Sequence, residues 1–500
     1  MPTQNMNPDQ ISVCESNLEA LSHRAAVPRY DRRKLGRGIV HIGAGGFNRA
    51  HLATYLDDLL NRGGDLRWSE CGIGLLAGDE RIHTALAAQD HLYSVLARDD
   101  RQQDVRIVGS LSEHLFAPKQ SETVLERMSA SECGIVSLTV TEGGYFIEDA
   151  SKKFLETHPS IQHDLANPSQ PVTFLGYLAE AAFRRMKQGM VPFTVMSCDN
   201  VQGNGDTARK ALLAFAGMRD PRLRTWIEEN VAFPNSMVDR ITPVTTEADK
   251  EFIAGRFGVR DLSPVVPEPF RQWVIEDTFC NGRPLWETVG AQLTTDVAPF
   301  ERVKMRLLNG GHSTIAYVAA LLGINHVYEA MADEQIRALE IMFLEEVTPV
   351  LPELRGMELT GYKASLIRRF SNPSLPDQIM RIASEGAAKL AKFIVPTIGD
   401  LWEMGKKPRI IPLVIAAWLY AMCGKDEAGR PMAIADASAS LLDEFVKKGG
   451  KDVKPALSIS SVFGDLAIAD GACVAQIQQD LDSLRGIGVR ATIQRVLDNK

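Results

Sequence analysis

The sequence has few cysteines and no pattern among them. Seven are scattered over 500 residues, at Cys14, Cys71, Cys133, Cys198, Cys280, Cys423 and Cys473, and no two form a Cys-x-x-Cys pair. Neither a disulfide framework nor a thiolate metal site is expected; reduced thiols in a cytoplasmic protein are. Surplus positive charge is missing too: 55 Lys and Arg face 63 Asp and Glu, for a net charge of -8. That argues against a general nucleic-acid binder, which needs a basic surface, and offers anionic membranes no attraction. Long apolar runs are lacking. The longest, Ile410 to Cys423, is interrupted by Pro412 and is too short for a bilayer, so a core helix is expected there. The polar N-terminus has no signal-peptide apolar core. Internal repeats, low-complexity tracts and coiled-coil heptads are also lacking, and a monomer is expected.

What is present is an ordinary globular composition, with 45% hydrophobic and 24% charged residues. The length exceeds what one core usually serves, so two domains are expected after a lead-in over residues 1–34. The first, 35–295, reads as α/β. Gly38-Ile39-Val40-His41-Ile42 is a short β-branched run typical of a buried strand. Gly43-Ala44-Gly45-Gly46-Phe47-Asn48 follows at once, and helical periodicity continues from 48 to 62. Strand, glycine turn, helix is the context in which Gly-x-Gly cradles a dinucleotide pyrophosphate, although Asn48 stands where the third glycine would be. A tight turn is the plainer alternative. A second strand is expected over 71–76. Asp79 beyond it is placed, slightly late, to grip adenosine ribose hydroxyls, while Arg81 could instead meet a 2′-phosphate. NAD is favoured over NADP.

Further strands are expected over 134–140, 193–198, 233–243 and 273–277, the last of them closing the domain. Glu142 follows one and Asp199-Asn200 another, at carboxyl ends where ligands of such sheets sit; Asx residues there are otherwise turn formers. The second domain, 296–500, reads as helical, over 300–323, 328–347, 375–394, 408–423, 434–448 and 470–498. Its opening stretch, Phe300-Glu-Arg-Val-Lys304-Met-Arg-Leu-Leu-Asn309-Gly-Gly-His312-Ser, puts Glu301, Lys304, Asn309 and His312 within an arc of roughly 140° at about 100° per residue. Four such groups on one buried helix face are costly without a purpose, and a buried lysine can act as a general base near neutral pH. An exposed Glu301–Lys304 ion pair is the bland alternative. Arg381, Glu385 and Lys389, four apart, read either as an exposed ion-pair ladder or as cations turned towards a ligand.

Three segments together, Ile42 to His51, Phe233 to Thr242 and Lys304-x5-Asn309-x2-His312, resemble the long-chain polyol dehydrogenase family. The resemblance runs from about residue 35 to the C-terminus. It implies a Rossmann-type N-terminal domain, a mostly helical C-terminal domain and no catalytic metal. By position it implies Lys304 as general base and Asn200 with Asn309 as the amides that hold the reacting oxygen. His312, Asp239, Arg381 and Lys389 are similar to the substrate-binding residues. Glu301 and Glu142 match carboxylates that route the base's proton to solvent, and Gly43, Gly45 and Phe47 belong to the cofactor loop. Many members have His where this chain has Asn48. The implied activity is NAD-dependent oxidation of an open-chain polyol to a ketose, with D-mannitol and D-fructose as the expected pair. A pentitol dehydrogenase or a fructuronate or tagaturonate reductase would use the same residues, Arg381 and Lys389 then meeting a substrate carboxylate. A nucleotide sensor on the same scaffold would have no need of Lys304.

Overall fold

The computed structural model describes residues 10–148, 152–354, 357–465 and 471–498. Residues 1–9 of the lead-in and residue 470 of the last expected helix lie outside them. The chain forms two compact units, Met1–Ala298 and Pro299–Lys500.

The first unit holds the strands β1 (Ile11–Ser12), β2 (Ile39–Ile42), β3 (Glu70–Gly74), β4 (Tyr93–Arg98), β5 (Gln103–Val108), β6 (Leu111–Phe116), β7 (Ile135–Leu138), β8 (Thr194–Ser197), β9 (Ser236–Asp239), β10 (Val259–Arg260), β11 (Gln272–Glu276) and β12 (Gln292–Thr294). Five of them make one sheet in the order β6-β3-β2-β7-β8, every neighbouring pair parallel. This is a Rossmann-type arrangement, its strand order reversing between β2 and β7. The strands β2, β3, β7 and β8 are buried along their whole length, as the strands of a parallel sheet covered on both faces are. Val40, Ile42, Ile73, Val136, Leu138 and Val195 share one core with the Phe174–Gln188 and Asn204–Arg219 helices. A smaller sheet, β12-β11-β9, pairs β11 antiparallel with β9 and parallel with β12.

Several expectations are corrected. The strands β4, β5 and β6 were not expected, and β12 follows the strand read as the last. In β6 the polar Glu113 and His114 hid the pattern, yet Glu113 is satisfied by Arg37 at 2.9 Å and Arg127 at 2.7 Å. The helix read over 48–62 is two, Gly46–Ala50 and Leu52–Asn61, broken at His51 (φ -115°, ψ -84°).

The second unit is helical, and its order differs in detail from the expectation. A Leu359–Phe370 helix was missed. The stretch read as 434–448 is helical only over Ala439–Leu442 and Asp443–Lys447. Gly471–Gly486 and Val489–Asp498 are separate helices, parted at Gly488 (φ +88°). Pro412 falls in the first turn of Ile410–Ala421, where its missing N–H interrupts no helical bond. All seven cysteines are free thiols, and Cys71, Cys133, Cys198 and Cys473 are buried.

Candidate active site

In the first unit the glycine loop joins β2 to its helix. Gly43 has φ +92°, and a Cβ there would lie 2.1 Å from the Thr139 carbonyl oxygen, so only glycine fits. Beside Gly46 a Cβ would meet nothing within 4 Å, which leaves its backbone open to an approaching diphosphate. These two glycines fit a dinucleotide cradle. The loop is held from beneath. Thr139 Oγ1 donates to the Gly43 carbonyl at 2.7 Å, and the His41 ring bridges Ser137 Oγ at 2.7 Å and Thr139 Oγ1 at 2.8 Å. Burial pushes His41 down to about 3, so it serves as a neutral strut. Phe47 stacks on His51 with centroids 5.1 Å apart, and His51 in turn meets the Gln272 carbonyl at 2.9 Å. Asn48 turns into the core, donating to Glu70 at 3.3 Å, so the residue in place of the third glycine is a link between helix and β3.

Asp79 sits beyond the carboxyl end of β3, against Gly74, where an added Cβ would be 2.8 Å from that of Asp79. One of its carboxylate oxygens accepts from the Leu76 N–H at 2.8 Å. Glu142 is exposed and opens a short 3₁₀ turn beyond β7. The turn is reached through Thr141, whose φ of +64° is strained for a β-branched residue. Asp199, beyond β8, holds it there, accepting from Thr141 N–H at 2.8 Å, Val140 N–H at 3.2 Å and the Tyr145 hydroxyl at 2.6 Å. Asn200 follows at once and is exposed. Asn204 donates to the carbonyls of Asp199 (3.0 Å) and Ser236 (2.8 Å), tying the end of β8 to β9, which ends in the buried Asp239. Asp199 and Asn204 are the positioning residues the sequence alone did not separate from turn formers.

In the second unit the Lys304 stretch is not one α-helix. Ala298–Val303 is α, Lys304–Asn309 is π, and Gly310–Leu321 is α again. The reading at 100° per residue is corrected accordingly. In an α-helix residues five apart diverge by roughly 140°, whereas a π turn, bonded i→i+5, takes more than four residues and brings Lys304 and Asn309 nearer to one side. Glu301 and Lys304 are both buried. Arg306, inside the π segment, anchors it through Asp400 at 2.9 Å and the Thr397 hydroxyl. Ser313 and Thr314 hydroxyls donate to the carbonyls of Asn309 and Gly310, each at 3.1 Å. Gly310 and Gly311 let the helix close on Glu334–Val347: a Cβ at Gly310 would lie 2.8 Å from Phe343 and one at Gly311 2.2 Å from Glu340 Oε1.

His312 packs against Phe370, ring centroids 4.3 Å apart and planes tilted by 31°. Burial lowers it to about 4, Asp377 opposing and Arg381, Arg369 and Lys389 lowering it further, so the ring is neutral near pH 7. The structure therefore gathers His312, Arg381 and Lys389, but not as a ladder. The helix breaks at Ser384 and Glu385 (φ +53°), and Glu385 instead accepts from the Ala437 N–H. Arg381 pairs with Asp377 (2.8 Å from Nε), and Lys389 Nζ donates to the Ile382 carbonyl at 2.7 Å. Burial and then Arg381 lower the Lys389 ammonium's proton affinity. Among the described residues no cluster of three His, Cys, Asp or Glu is arranged to hold a metal ion.

Comparison with known proteins gives these features a context. The family model of the mannitol dehydrogenase Rossmann domain matches residues 37–288, and that of the mannitol dehydrogenase C-terminal domain matches 296–485. A mannitol 2-dehydrogenase of Aspergillus fumigatus is 42% identical over 480 residues, covering 94% of this chain and 95% of its own. The solved Pseudomonas fluorescens mannitol 2-dehydrogenase, a ternary complex with NAD and D-mannitol, is similar at 41% identity and a TM-score of 0.89, covering 98% of this chain and all of its own. A D-sorbitol dehydrogenase in substrate-free form is similar at 36% identity and a TM-score of 0.88, covering 97% of this chain and 100% of its own. With both of its units matched, the chain belongs to the mannitol dehydrogenase family.

Proposed function

We propose that the protein is an NAD-dependent polyol 2-dehydrogenase that interconverts D-mannitol and D-fructose, with Lys304 as general base and no catalytic metal. The observation that carries this reading is the buried Lys304 and the half-buried Asn309 within one anchored π turn. A base of this kind takes the proton of the C2 hydroxyl. Asn309 and Asn200 donate hydrogen bonds to the oxygen as it gains charge, an oxyanion-hole role. His312, Asp239, Arg381 and Lys389 bind the remaining hydroxyls, and Glu301 and Glu142 pass the proton towards solvent. Gly43, Gly45 and Phe47 hold the dinucleotide, and Asp79 its adenosine ribose. Bound NAD supplies the hydride acceptor. Residues 35–295 are read as the dinucleotide-binding domain and 296–500 as the substrate domain, in a monomeric cytoplasmic enzyme whose seven thiols remain reduced.

Mannitol is favoured because relatives of that name cover nearly the whole chain at the higher identity. Sorbitol is the second reading, supported by the D-sorbitol dehydrogenase fold at similar coverage. The test is absorbance of the reduced nicotinamide with mannitol, sorbitol, arabinitol and, in reverse, fructose and fructuronate, each with NAD and NADP. Highest kcat/KM for mannitol with NAD is expected. Activity on none of the polyols would overturn the reading, and a preference for fructuronate would move it to hexuronate reduction.

A further inference from the structure

A cavity of about 690 Å³ opens in the first unit, and none of the candidate active-site residues lines it. Four arginines, Arg24, Arg106, Arg240 and Arg271, line it against two carboxylates, Asp58 and Asp104, a surplus of two positive charges in a chain whose net charge is -8. Three of the guanidiniums converge on Thr54. Arg106 Nη2 donates to its carbonyl at 3.1 Å, Arg271 Nη1 to its hydroxyl at 3.0 Å, and Arg240 Nη1 to the same hydroxyl at 3.5 Å. Asp58, one turn on, takes ion pairs from both Arg106 and Arg271.

Among the described residues no carboxylate makes an ion pair with Arg240 in this way. Arg240 is 8% exposed and donates to the carbonyls of Glu268, at 2.9 Å, and Ala50. Burial, with Arg271 and Arg106 alongside, pushes it down to about 9, against a weaker pull from Glu268. Of the other acids near this cluster, Glu268 and Asp57 are engaged elsewhere. Glu268 Oε1 accepts from the Ile241 N–H, and Asp57 accepts from the Tyr30 hydroxyl at 2.6 Å and the Gly109 N–H at 3.0 Å; neither lines the cavity. Guanidiniums crowded together with one shared carboxylate repel one another, and an anion that enters relieves the repulsion.

We propose that this cavity binds a phosphoryl dianion, free or as the monoester of a small hydroxylated molecule. Planar guanidinium forks match phosphate oxygens in pairs. The volume lies within the range of small-molecule sites and exceeds what a bare ion fills. Ser22 and Gln103 on the rim offer hydrogen bonds to hydroxyls of the carrier.

The test is calorimetric titration of the full chain at low ionic strength with glucose 6-phosphate, inorganic phosphate and glucose. Saturable binding of the ester, at least tenfold tighter than glucose, is expected. An ester tighter than inorganic phosphate assigns the site to a phosphorylated metabolite, and equal affinities assign it to the free ion. Arg271→Gln and the exposed Arg24→Ala should each weaken binding severalfold or more, whereas Asp58→Asn, which enlarges the positive surplus, should tighten it. Loss of fold cannot produce changes of opposite sign. No saturable binding of either phosphate probe to the wild type, or affinities unchanged across all three variants, would overturn the proposal.

Discussion

At the scale of single residues, the sequence exposed the candidate chemical groups more readily than the groups that place them. Gly43 was legible because a glycine directly after a β-branched run has few other uses, and its φ of +92° against the Thr139 carbonyl supplies the reason. Asp199 was not, because an Asx beyond a strand is usually a turn former; its three hydrogen bonds around Thr141 involve residues some sixty positions away. The decisive residue-scale prediction concerns Lys304. To accept a proton it must first shed its own, so polyol oxidation should rise with pH and then level, while ketose reduction should favour lower pH. Lys304→Ala should lower kcat for oxidation by at least about a hundredfold, the usual worth of a general base. NAD affinity should stay close to wild type. Stopped-flow turnover of the variant across pH is the measurement, and a variant that kept the wild-type rising limb would assign the proton to another group.

At the scale of elements, helical character was legible, whereas the breaks within helices and the phase of their faces were not. The apolar spacing announced a buried helix from 300 onward, but nothing in composition marks the wider turn at Lys304–Asn309. That turn is set by tertiary anchors, Arg306 on Asp400 and the Gly310–Gly311 contact with the neighbouring helix. The neighbour contributes an unusual group. Glu340 is fully buried, neither of its carboxylate oxygens has a hydrogen-bond partner among the described residues, and burial raises it from 4.5 to about 8. Between those two values the folded protein keeps a proton that the unfolded chain has released. Stability therefore falls as pH rises through this window, by at most about 1.4 kcal/mol per unit. Glu340→Gln keeps the shape and removes the titration. Its Tm should exceed that of the wild type at pH 8 by several degrees, and the gap should close towards pH 5. Thermal unfolding at the two pH values decides it; a gap that does not change with pH would mean the carboxyl does not titrate as described.

At the scale of the whole molecule, the alternation of strand and helix ahead of an all-helical remainder was enough to reach an α/β domain followed by a helical one, and the family resemblance supplied the Rossmann type. The sheet order was not, because β6 carries its ion pairs and its histidine within the strand and reads as a loop. The proposed division of labour has a thermodynamic signature. A ligand at about a hundred times its dissociation constant adds about 2.7 kcal/mol to the unfolding free energy of whatever binds it. Saturating NAD should therefore shift the calorimetric transition that contains the first unit, NADP should shift it less, and Asp79→Ala should narrow that difference by removing a charge that repels a 2′-phosphate. Equal shifts with both cofactors in the wild type would remove Asp79 from the adenosine site. The thiols offer another way to watch the same unit. Cys71 lies in β3, Cys133 just before β7 and Cys198 just after β8, each fully shielded and raised in pKa by burial. Only an opened sheet can expose them as reactive thiolates. The rate at which an alkylating reagent modifies these three positions, read peptide by peptide, is thus a built-in clock for the opening of the parallel sheet, and a bound dinucleotide should slow it.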